Sequence, residues 1–141
     1  MAPPPVTPGY SGKSLVGKLG IKPGYRMALI DAPPEFPAGL GRLPAGVDVV
    51  GERTKELDFI LFFADRAQTL EKRMPSAIGR LQQAGMLWIA WPKKSSGVPT
   101  DITEDVVRRI ALASGVVDVK VCAITDVWSG LKLVRRLKNR A

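Results

Sequence analysis

The chain has 141 residues, 45% of them hydrophobic and 24% charged, enough for one domain with a real core and too few for two. It carries a formal net charge of +8, a single cysteine and no histidine. Those numbers exclude a serine–histidine triad, a histidine-ligated metal, a cysteine zinc site and an internal disulfide, and they favour acidic partners.

The opening "MAPPPVTPGY" lacks the charged start and apolar middle of a signal peptide, and reads as a disordered proline-rich arm over residues 1–10. No apolar run approaches the roughly 18–20 residues of a membrane span, so a cytoplasmic protein without membrane contact is expected. In "TPGYSGKS", Gly12, Lys13 and Ser14 match the end of a phosphate-loop motif. That motif works after a strand, and none precedes it here, so a helix start capped by Ser11 is expected instead.

Residues 11–19 pattern as a short helix with Leu15, Val16 and Leu19 on one face, stopped by Gly20 and Pro23. "YRMALID" is a first strand, and a proline- and glycine-rich connection with one helical turn leads to a second, "VDVVGE". "LDFILFFA" is apolar without alternation, as in a central parallel strand covered on both faces. Asp65 is placed to cap the following helix, whose pattern Ala67, Leu70, Met74, Ile78, Leu81 is interrupted by Pro75. A kink or two short helices is expected there, with Gly85 as the stop before "MLWIAW". Trp88 and Trp91 are expected on one face of that strand.

A helix over residues 102–114 follows, with Asp101 as N-cap and Glu104 completing a capping box. "VVDVKVCAI" and "GLKLVRRL" form a terminal antiparallel pair, with Trp128 in the turn between them and Cys122 a packed small residue. Strands alternating with helices imply a three-layer α/β/α sandwich over residues 11–136, mostly parallel with a C-terminal antiparallel hairpin. Residues 137–141 are a basic tail.

Ligands of parallel α/β sheets bind beyond the carboxyl ends of the strands. The ten residues from Trp91 to Thr100 lie at such an end and exceed the usual 2–6 of a strand-to-helix connection. Lys93 and Lys94 bring charge, Ser95 and Ser96 hydroxyls, and Gly97 a turn, with Trp91 or Trp128 as a stacking wall for a ring. A helix terminus adds only about 0.3–1 kcal/mol. Millimolar binding needs about 4 kcal/mol, so the lysines and serines would carry most of it.

Laid out this way, "LGIKPGYRMALID" and "LDFILFFADRAQTLEKRMPSAIGRLQQAGMLWIAWPK" resemble the corresponding sections of class I methyltransferases. A closer resemblance, through "YSGKSLVGKLGIKPG", "GMLWIAWPKKSSGVPTDITEDVVR" and "GVVDVKVCAITDVWSGLKLVRR", is to a small bacterial domain family without an established activity. Together these imply a Rossmann-like, reduced methyltransferase-like fold. The methyltransferase resemblance also implies a site for S-adenosylmethionine, with a glycine-rich turn after the first strand and an acidic residue ending the second. Glu52 stands at the acidic position, and Asp31 and Glu35 flank the turn, but the turn itself reads "DAPPEF". Pro33 and Pro34 have no N–H and a fixed φ, so S-adenosylmethionine is not the expected cofactor.

The expected function is therefore a non-catalytic domain binding an anionic or nucleotide-like ligand through Trp91, Lys93, Lys94, Ser95, Ser96, Gly97, Asp31, Glu52 and Trp128. The alternative is a divergent S-adenosylmethionine-dependent methyltransferase. A weaker alternative is a protein- or nucleic-acid-interaction domain using the basic tail.

Overall fold

The computed structural model describes residues 14–136 except Glu52; the proline-rich arm, the expected Ser11 cap, Gly12, Lys13 and residues 137–141 lie outside them. The elements, in chain order, are α1 (Leu15–Leu19), β1 (Arg26–Ile30), α2 (Phe36–Gly39), β2 (Asp48–Val49), β3 (Leu57–Phe63), α3 (Ala67–Arg80), β4 (Leu81–Pro92), α4 (Glu104–Ala113), β5 (Val116–Ala123) and β6 (Trp128–Arg135). The strands form one sheet in the order β2-β1-β3-β4-β6-β5, with β6 antiparallel to both neighbours and every other pairing parallel.

The sheet divides the core in two. Ile60 and Phe62 of β3, Leu87, Ile89 and Trp91 of β4, and Leu131 and Leu133 of β6 face α3 and α4. Phe59, Leu61 and Phe63, with Met86, Trp88 and Ala90, face α1 and α2. Both faces of β3 are thus covered, which is why its apolar residues run without a break. No helix among the described residues is long and apolar enough to cross a membrane.

Several local expectations change. Trp88 and Trp91 lie three residues apart in an extended strand, so they point to opposite faces rather than sharing one. Trp88 donates from Nε1 to the carbonyl of Leu19 at 3.0 Å and ties down the end of α1. The cap of α1 is Ser14, which accepts from the Gly17 N–H at 3.0 Å.

Helix α3 runs without interruption through Pro75. It ends at Arg80, ahead of Gly85, which instead lies inside β4, where an added Cβ would sit 2.8 Å from the Leu57 carbonyl oxygen. The terminal carbonyls of α3 and the next turn are satisfied from across the sheet. Arg135 donates to Ile78 at 2.6 Å, Leu81 at 3.0 Å and Gln82 at 2.8 Å. At the other end of α3, neither Asp65 nor the N-cap Arg66 supplies a cap. Asp101 does, accepting from the Ala67 N–H at 2.7 Å. Asp101 is therefore not the N-cap of α4; Thr103 is, accepting from the Val106 N–H at 3.2 Å.

Candidate functional site

The carboxyl ends of β1, β3 and β4 come together at one edge, where Ile30 lies beside Phe62 and Phe63 beside Ala90. At this edge the chain turns sharply after β1. Asp31 takes a φ of +55°, in the left-handed region that asparagine and aspartate tolerate better than other side chains. The corner that a glycine provides in the implied family is made here by an aspartate, ahead of Pro33 and Pro34.

An open cleft of about 240 Å³ lies on the α2 side of this edge. Pro33, Glu35, Phe36 and Gly39 form one wall, and Thr125, Asp126, Val127 and Trp128 the other. Its two aromatic lining residues, Phe36 and Trp128, share a buried neighbour. Phe63 meets Phe36 edge-on at 4.7 Å and Trp128 edge-on at 5.0 Å between ring centroids. Trp128 is the first residue of β6, opposite Pro92, and half-buried. Thr125 shapes the far wall, its hydroxyl accepting from the N–H groups of Val127 and Trp128 at 3.1 Å each. The cleft combines apolar ring surface with two exposed carboxylates, Glu35 and Asp126, a composition that suits a ligand with a cationic centre.

The residues singled out from the sequence do not all converge on it. Trp128 lines the cleft. Trp91 is buried, 6% exposed, in the core beneath α3 and α4. Lys93 reaches the cleft's far wall only through its backbone, its N–H donating to the Val127 carbonyl at 2.7 Å. Lys94 and Ser95 are exposed in a single 3-10 turn over Lys94–Ser96. Ser96 closes that turn, donating to the Lys93 carbonyl at 2.7 Å and accepting from the Val98 N–H at 3.2 Å, and Gly97 follows in the left-handed region at φ +79°. Asp31 pairs with Arg73 of α3, on the opposite side of the sheet from Phe36 and Trp128. Glu52 lies outside the described residues.

The start of α4 offers little to an anion. Glu104 and Asp105 occupy its first turn, and Glu104 pairs with Arg108 at 2.6 Å. The hydrogen bonds it donates to Glu104 and then Asp118 hold the Arg108 guanidinium above its usual range. Cys122 is no nucleophile of this site; burial pushes its thiol up, against a downward pull from Lys18 and Lys120. Among the described residues no cluster of acidic and cysteine side chains could hold a metal ion.

Phe36, Thr125 and Asp126 were not singled out from the sequence. The cleft exists only because the loop after β1 meets the turn before β6, some ninety residues on, and no local pattern announces that meeting.

Solved structures place this architecture. A SAM-dependent methyltransferase from Aquifex aeolicus superposes over 84% of this chain and 86% of its own, with a TM-score of 0.58 at 14% identity. The magnesium protoporphyrin IX methyltransferase of Synechocystis, solved with bound SAH, covers 86% of this chain and 78% of its own, with a TM-score of 0.62 at 9% identity. The fold is that of the SAM-dependent methyltransferases. The fibrillarin of Aeropyrum pernix, solved with natively bound S-adenosyl-L-methionine, matches 85% of this chain and 73% of its own, at a TM-score of 0.57 and 10% identity. No protein-family model matches the chain. No curated protein matches it either.

Proposed function

We propose that the chain is a divergent S-adenosylmethionine-dependent methyltransferase that holds its cofactor at the carboxyl edge of the sheet, against the cleft between Phe36 and Trp128. The observation that carries this reading is the cleft itself, lined by Phe36 and Trp128 and rimmed by Glu35 and Asp126 at the edge where this fold takes its ligands. Solved neighbours of the same fold that contain SAM or SAH support the choice of cofactor. The bound cofactor would supply an electrophilic methyl group on a sulfonium cation. Ring faces and carboxylates favour such a charge, and they need no histidine to do so. Glu35 and Asp126 are also the groups placed to accept a proton from a methyl acceptor. The cleft lies just below the roughly 300–1,000 Å³ of small-molecule sites, so it takes the sulfonium end and leaves the remainder along the open edge.

A second reading, a binding domain without catalysis that seats an anion on Lys93, Lys94 and Ser95, draws on the exposure of that loop and on the prolines that replace the glycine-rich turn. Calorimetry separates the two. S-adenosylmethionine and its demethylated product are titrated into the full chain, into a Glu35→Gln/Asp126→Asn variant, and into a Lys93→Ala/Lys94→Ala variant. The proposal expects binding of both compounds, with the carboxamide pair weakening the sulfonium compound roughly tenfold and its neutral product far less. The lysine pair should change neither. No heat at millimolar ligand sinks the cofactor reading. Loss confined to the lysine variant transfers the site to the 93–97 loop.

A further inference from the structure

The face of the sheet opposite the cleft carries a second concavity. Among the described residues between β2 and β3 there is no helix, and Val50 packs there against the core on the α3 side. A hollow of about 70 Å³ opens there, floored by Ile30, Phe62 and Ala77 and walled by Arg53, Arg73, Arg80 and Ser76. A water occupies roughly 30 Å³ of liquid, so this space admits one small group and no ring system.

Its chemistry is one-sided. Arg73 lies over the Phe62 ring, 5.3 Å from its centroid, and pairs with Asp31. Arg80 is fixed by its Nη1, which donates to the Ser76 carbonyl at 3.1 Å and to the Ser76 hydroxyl. The Nε–H of Arg80 is buried and has no acceptor. Arg53 makes no ion pair or hydrogen bond among the described residues and lies exposed at the rim. Three guanidinium groups thus line one hollow. Buried donors are nearly always paired in folded proteins, and forked guanidinium groups match the oxygens of a phosphate.

We propose that this hollow is a phosphate-binding site, in which Arg80 Nε–H, Arg53 and Arg73 hold one phosphoryl group. Asp31 competes with the ligand for Arg73. The site lies across the sheet from the cleft and stands or falls independently of the methyltransferase reading.

The test titrates inorganic phosphate into the full chain, following the melting temperature and the heat of binding at constant ionic strength against chloride. A nucleoside monophosphate and methyl phosphate are run in parallel, to tell a free phosphate site from one that reads an attached group. Phosphate should raise the melting temperature by several degrees and saturate, and chloride should not. Arg53→Ala, at an exposed position, should weaken binding at least about fivefold, and Arg80→Met more. Asp31→Asn keeps a residue that tolerates the left-handed corner and removes the competing charge, so it should tighten binding several-fold. Trp128→Leu should leave the phosphate response unchanged. Equal responses to phosphate and chloride, or an Arg53→Ala and Asp31→Asn pair that binds phosphate as the parent does, would overturn the proposal.

Discussion

Arg135 shows how far a side chain's role can stand from its sequence neighbourhood. It begins "RRLKNR", a run that reads as a basic tail, yet its guanidinium is held by three carbonyls around the end of α3. Hydrogen bonds to a charged group contribute about 1.5–3 kcal/mol, so Arg135→Met should lower stability by about that amount, read as an earlier midpoint in urea unfolding. Lys132 is the opposite case. Burial, then Lys120 and Lys22, push its ammonium below the ordinary value of 10.5, and Lys120 stands directly across the strand pair. With the folded pKa depressed, the unfolded chain holds the proton more tightly through the window up to 10.5, so stability rises with pH there. Below that window the full penalty of the charged form persists. Lys132→Met should therefore be more stable than the parent at pH 7, and its advantage should shrink as the pH climbs toward 10.5. Paired thermal melts across that range check both statements.

At the scale of elements, the instructive pair is α3 and α4. The spacing of Asp101 and Glu104 reads as a capping box for α4, and the register of α4 is indeed close to the pattern. The carboxylate of Asp101 nevertheless serves α3, because the loop after β4 folds back over the start of that helix; Thr100 also donates to the Asp65 carbonyl there, at 2.6 Å. Asp101→Ala should cost about 1 kcal/mol, as the loss of a cap does, and the loss should appear as faster amide exchange in the first turn of α3 rather than of α4. Hydrogen exchange by residue decides between the two helices. The strands were legible because continuous and alternating apolar runs report directly on two-sided and one-sided burial. The caps were not, since a cap needs only one acceptor within reach, and that acceptor can come from any segment the fold brings close.

For the whole molecule, layer order and mixed strand direction followed from the alternation of strand and helix, and from the antiparallel pattern of the last two strands. The site was half legible. Trp128 was singled out and lines the cleft, whereas Trp91, chosen on the same grounds, is buried in the core on the other side of the sheet. A one-residue difference in strand parity separates those outcomes, and composition alone does not register it. The arginine hollow was invisible for a further reason. Arg53, Arg73 and Arg80 read singly as solvated charges, and only the fold brings them to one hollow.

The position of β6 between β4 and β5 has a consequence in time. The chain makes β4 well before β6, yet β6 is the only strand that joins both β4 and β5 to each other. While synthesis proceeds, "MLWIAW" therefore waits with one flank unpaired, its backbone groups and large rings open to any passing strand. At translation rates of about 5–20 residues per second that interval lasts on the order of seconds, long for a chain whose individual hairpins close in microseconds. β6, made after both of its neighbours, is thus the strand that joins them, and a ribosome that stalls just short of it leaves that flank of β4 open.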